Sequence, residues 1–191
     1  GMGALHKNTT GTENTASGQN ALYNNTTGSY NTASGYNALE ANTTGTKNTA
    51  SGQKALYLNT TGDYNTASGR TALYSNTTGE YNTAIGHKAL ENNSTALYNT
   101  ACGNYALREN TTGAENTASG NNCLLNVTTG SYNTAMGNMA GYTLTTGDYN
   151  LCLGYYAVTS SATVDDEVVL GDSHIATLRC NTSTISSLSD A

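Results

Sequence analysis

The stretch NTTGTENTASG, Asn8 to Gly18, returns as NTTGSYNTASG at 25–35 and as NTTGDYNTASG at 59–69. The Asn that opens NTASG recurs at Asn14, Asn31, Asn48, Asn65, Asn82, Asn99, Asn116, Asn133 and Asn150, always 17 residues apart. The Gly that closes it keeps the same step, at Gly18, Gly35, Gly52, Gly69, Gly86, Gly103, Gly120, Gly137 and Gly154. The Gly11 position recurs as Gly until one copy reads NSTA, Asn93 to Ala96. A spacing held through nine copies without insertion means that each copy stacks on the last, since one extra residue would shift every ladder above it.

Each copy is cut twice, at NTTG and at the SG–Asn corner, which leaves arms too short for a helical repeat. The arms are Thr-rich and bounded by Asn and Gly, which is strand and turn chemistry. The chain has no Pro, as expected where stacked strands must donate their N–H groups. The reading is an all-β, parallel β-solenoid (a β-roll) with one 17-residue coil per copy over residues 2–160, followed by a C-terminal β-strand segment over 161–191. With rungs about 4.8 Å apart, nine coils make a rod on the order of 45 Å long.

Stacking turns each phase of the repeat into a column. The Asn14 column is expected to bond amide to amide up the stack and to satisfy the turn backbone. The Gly18 and Gly11 columns mark corners, expected at positive φ, and the Thr9 and Thr10 hydroxyls are expected to bond the turn backbone. The Ala16 column and the Ala21–Leu22 pair, repeated through Ala106–Leu107, read as core. The Ser17 column drifts to Ile85, Cys102, Met136 and Leu153 and is read as facing a dry environment. This is a thin core, so a partner is expected to supply burial. Rows of Ala and Gly would let identical chains approach closely, and a homo-oligomer follows.

Composition removes several function classes. Net charge is −6, and seven Lys and Arg are scattered among 13 acidic residues, so no basic patch for nucleic acid is read. No apolar run approaches the ~18 residues that would span a bilayer, so no membrane insertion is expected. No signal-peptide pattern is read, and the opening Gly1–Met2 has the form of a tag scar, so Gly1 is set aside. His6, His87 and His174 fall on different phases without ligand spacing, and no metal or cofactor is expected. Asp165, Asp166 and Glu167 read as a charged turn capping the roll. Cys102, Cys123 and Cys152 replace small residues and read as buried free thiols. With no CxxC among the four Cys, redox and zinc motifs find no support. Tyr30, Tyr64, Tyr81, Tyr98, Tyr132 and Tyr149 share one phase. They read as a stacking ladder that stiffens the rod, or as a stripe facing a glycan.

Repeats of the form NTASGxxALxxNTTGxx, across about 2–160, resemble the head repeats of trimeric autotransporter adhesins and, more closely, those of phage tail-fibre proteins. That resemblance implies a left-handed roll, a side-by-side homotrimer, and a virion tail fibre or an extracellular or cell-surface location. The chain departs from the adhesin pattern in a longer coil, with Thr and Ser where those heads often carry Val and Ile. The tail, VVLGDS followed by TLRCNTSTISSLSD, is similar to the segment that precedes the intramolecular chaperone of endosialidase-type tailspikes. In that family the chaperone cuts itself off at a Ser–Asp bond, matched here by Ser189–Asp190. The family also needs a downstream Lys, so the resemblance implies no cleavage by this chain alone.

The leading expectation is a structural fibre or adhesin-type head segment that recognises a host or surface, through a glycan or a protein, without catalysis. No nucleophile–base pair or paired carboxylates stand out. The alternative is an ice-binding solenoid built on Thr15, Thr32, Thr49, Thr66, Thr83, Thr100, Thr117 and Thr134. The residue two places on is mostly Ser, where such rolls use a second Thr, which weighs against it.

Overall fold

The computed structural model describes residues 1–175 and Thr177. Ser189, Asp190 and Cys180 lie outside the described residues. The chain is an all-β parallel β-solenoid of about nine coils, roughly 17 residues per turn, with no helix among the described residues. Ten strands of three residues form one sheet in sequence order: β1 Thr15–Ser17, β2 Thr32–Ser34, β3 Thr49–Ser51, β4 Thr66–Ser68, β5 Thr83–Ile85, β6 Thr100–Cys102, β7 Thr117–Ser119, β8 Thr134–Met136, β9 Leu151–Leu153 and β10 Val168–Leu170. Every neighbour pairs parallel and in phase, as in Thr15 opposite Thr32 and Ala16 opposite Ala33. β10, whose own sequence has left the repeat, still pairs residue for residue with β9. Gly1, set aside above, accepts from Ala4 N at 3.2 Å, in the phase where Gly18 accepts from Ala21.

The core is the column set Ala16, Ala21 and Leu22. Ala33, Ala38 and Leu39, and their equivalents coil after coil, are fully buried. These Ala columns fill the inside of the roll, so they are not the small-residue surface expected for a partner. The Ser17 column lies outside the roll's own core. Ile85 is 46% exposed and Met136 56%, and Cys102 is exposed with them. Alternation along a strand explains this: because Ala16 points inward, Thr15 and Ser17 both point outward.

The corners differ from expectation as well. The Gly18 column lies at φ between 114° and 144°, as expected, but the Gly11 column does not have positive φ. Gly is needed there for room: a methyl on Gly45 would come within 2.6 Å of the Gly62 carbonyl oxygen. Ala96 carries that methyl in the sixth copy, and the bond from Asn93 Nδ2 to its carbonyl stretches to 3.3 Å, against 3.0 Å at Gly79 and 2.9 Å at Gly113. Positive φ instead falls on three non-Gly columns: the core Leu22 column, the Asn20 column and the Tyr30 column. Left-handed backbone costs a Leu or Tyr of order 1–2 kcal/mol. Each is held there by its N–H, which bonds a neighbouring coil: Leu22 to Ala38 at 3.0 Å, Tyr30 to Thr12 at 3.0 Å, Asn37 to Gln19 at 2.9 Å.

Candidate functional site

Two Asn ladders run inside the roll. In the Asn14 column, Oδ1 accepts from the backbone N–H of the next Asn, as in Asn48 to Asn31 at 3.0 Å, while Nδ2 donates to the carbonyl of a Gly in the next coil, as in Asn48 to Gly62 at 2.7 Å. A second ladder, at Asn8, Asn25, Asn42, Asn59, Asn76, Asn93 and Asn110, was not singled out from the sequence. It bonds amide to amide, for example Asn42 Nδ2 to Asn25 Oδ1 at 2.8 Å. Its signal was the same fixed phase, and the column ends in buried Val127 and Leu144 as the core becomes drier. Both ladders are buried, so they serve the scaffold. Thr9-type hydroxyls bond the next coil's backbone, as in Thr26 to Thr43 at 3.0 Å. The Thr10 column is exposed, without such bonds among the described residues.

Three outer surfaces among the described residues carry distinct chemistry. The first is the strand face, where the Thr15 and Ser17 columns stand side by side. Its Thr15-column hydroxyls have no protein hydrogen-bond partner among the described residues. The face changes character along the rod: hydroxyls over β1–β4, then Ile85, Met136, Leu151 and Leu153, and at β10 Val168 (64% exposed) and Leu170.

The second is the Tyr column. Tyr64 stacks on Tyr81 with centroids 4.8 Å apart, Tyr81 on Tyr98 at 5.1 Å, and Tyr132 on Tyr149 at 4.7 Å. Within these runs each ring covers its neighbour's face and turns an edge and a hydroxyl outward. Lys47 interrupts the run between Tyr30 and Tyr64. Its ammonium donates to Tyr64 Oη at 2.6 Å, which raises the Lys47 pKa above the usual lysine value. Glu115 interrupts it between Tyr98 and Tyr132, and its charge raises the Tyr132 pKa.

The third is a turn flank, where Lys54, Arg70, Thr71, Tyr74, Lys88 and Glu91 line a cleft of about 280 Å³. The histidines lie apart from one another: His6 stacks on Tyr23, the half-buried His87 meets Tyr105 edge-on, and His174 bonds Asp172. Asp165 accepts from Asp148 N at 2.7 Å and Glu167 from Ser160 N at 2.8 Å, so both bond backbone at the last coil.

The three described cysteines divide. Cys123 and Cys152 are buried, while Cys102 is exposed, which corrects its reading as a buried thiol. Burial pushes the Cys123 thiol up to about 12 and Cys152 up to about 11. Native protein treated with iodoacetamide at pH 8 is expected to carry the label on Cys102 and not on Cys123 or Cys152, read by peptide mass spectrometry. Equal labelling of Cys123 would contradict the fold. Because the folded pKa values are raised, the stability these two thiols support is complete below the ordinary thiol value. It is lost as pH rises from about 9 toward 12, since only the unfolded chain ionises freely there.

No protein-family model, curated protein or solved structure matches the chain.

Proposed function

We propose that the chain is a structural segment of a fibre: a left-handed roll that assembles side by side into a homotrimer and presents a host- or surface-recognising end, on a virion tail fibre or a cell surface. The observation that carries this reading is the in-phase stack of ten rungs whose outward strand face turns apolar toward the C-terminal end. Met136, Leu153, Val168 and Leu170 are costly to leave in water, and three identical faces meeting around an axis would cover them. The fibre resemblance of the repeats and of the tail points the same way. The reading assigns this chain no catalysis and leaves a glycan or protein as the recognised partner.

Light scattering behind size-exclusion chromatography is expected to give three times the chain mass. Met136→Glu, at a site too exposed to disturb folding, is expected to return the monomer. A stable monomer of the unaltered chain at micromolar concentration would sink the proposal.

A second reading is favoured by a separate observation, the regular array of unpartnered Thr15-column hydroxyls beside the exposed Ser17 column. An ice-binding solenoid would use that face to order water. It requires thermal hysteresis that is lost when Thr66, at the centre of the array, is changed to Tyr.

A further inference from the structure

We infer that the turn-flank cleft binds a tetrahedral oxyanion, a sulfate or phosphate group, at the rung of Thr71. The inference follows from the phase of the repeat. Lys54, Thr71 and Lys88 occupy one column on three successive coils, and Arg70 precedes Thr71 on the same coil. With rungs about 4.8 Å apart, the two lysines lie about 10 Å apart along the stack, one rung below and one above Thr71. An anion seated at that rung meets an ammonium from each side and a guanidinium at its own level. These three cations face one carboxylate in the cleft, Glu91, which holds Lys88 at 3.2 Å. A local excess of positive charge stands out in a chain whose net charge is −6.

The groups left over are the ones an oxyanion takes. Among the described residues the Arg70 guanidinium has no ion pair, and guanidinium is the donor best shaped for two oxygens at once. Lys54 Nζ lies over the Tyr57 and Tyr74 rings, 5.4 and 5.9 Å from their centroids, with no carboxylate partner among the described residues. The Thr71 Oγ1 is buried without any hydrogen-bond partner, although it lines the cleft.

Thr71 is also held at φ 54°, a conformation unfavourable for a β-branched residue. Asn, which tolerates it better, fills the same phase at Asn20, Asn37 and Asn122. A buried, unpaired hydroxyl on strained backbone between two lysines is costly for a scaffold, and it is a ready donor for an anion. The cleft volume, about 280 Å³, is larger than a bare sulfate and leaves room for one sugar ring beside Tyr74.

The inference does not depend on the fibre reading. The cleft lies on the turn flank, off the strand face proposed to meet partner chains, so a monomeric rod would bind equally well. Isothermal titration calorimetry of the full chain with sodium sulfate, at constant ionic strength set with sodium chloride, is expected to show one saturable site. Arg70→Ala is expected to weaken it at least tenfold, and Thr71→Val, which keeps the shape and removes the hydroxyl, several-fold. Lys7→Ala, a cation elsewhere on the rod, should leave it unchanged.

A 6-sulfated hexosamine that binds more tightly than inorganic sulfate would assign the site to a sulfated glycan. Equal affinity would support the site for the free ion alone. No saturable heat with sulfate, or unaltered binding in Arg70→Ala folded by circular dichroism, would overturn the inference.

Discussion

Gly52→Ala is expected to lower the thermal midpoint of the rod by about 4–24 °C. Gly52 lies at φ 134°, a region closed to residues with a side chain. A methyl there would come within 2.6 Å of the Gly69 carbonyl oxygen and 2.7 Å of its carbon, both backbone atoms of the next coil. Neither can yield without opening the ladder, in which Gly69 N donates to Ser51 O at 2.8 Å. Backbone strain of about 1–3 kcal/mol and a clash of similar size add to about 2–6 kcal/mol. One kcal/mol moves the midpoint of a chain this long by about 2–4 °C. In a stack where each coil contacts only its neighbours, a break between the third and fourth rungs also separates the rod into two shorter pieces. Ser51→Ala, next door on the exposed face, is expected to change stability by no more than about 0.5 kcal/mol. Circular dichroism melts of the two variants give the test. A Gly52→Ala midpoint equal to that of Ser51→Ala would mean that the coils are not stacked this closely.

Asn65→Asp is expected to be folded in acid and to lose most of its stability by neutral pH. Asn65 is fully buried. Its Oδ1 accepts from Asn82 N at 3.0 Å and its Nδ2 donates to the Gly79 carbonyl at 2.7 Å. Asp keeps the shape and the acceptor. It satisfies the Gly79 carbonyl only while protonated, because an ionised oxygen there would face another acceptor without water. Burial and that contact raise the folded pKa of the new carboxyl above its unfolded value of about 3.9. The sign follows: stability is fully present below about pH 4 and falls as pH rises, because the unfolded chain loses the proton first. Wild type has no group at this site to titrate. Urea unfolding from pH 3 to pH 7 is expected to show the midpoint of Asn65→Asp falling with pH relative to wild type. Parallel curves for the two would show that the Asn column is wet, and that its bonds do not hold the turn.

The period, the parallel stack, the inward Ala and Leu columns and a hydrogen-bonded Asn14 column could all be read from the 17-residue repeat. A strict repeat converts one-dimensional spacing into three-dimensional adjacency, so residues 17 apart must touch. The outward turn of Ile85 and Met136 was also within reach, since Ala16 between Thr15 and Ser17 leaves both neighbours outside. Their apolar character pointed the other way, because side-chain type alone does not tell a core from an outer face.

Other features needed the folded coil. Nothing about Leu22 or Tyr30 announces left-handed backbone, which is imposed by hydrogen bonds to the coils on either side. The role of Gly11 as a space-maker depends on how closely the next coil's carbonyl approaches. The meeting of Lys54, Arg70 and Lys88 around Thr71 depends on which way each turn directs its side chains. The repeat is enough to say which residues stack, because equal spacing leaves the chain one register. Which columns are buried, strained or open to a ligand is settled by the path of the backbone within each coil, where neighbouring coils override the preferences of single residues.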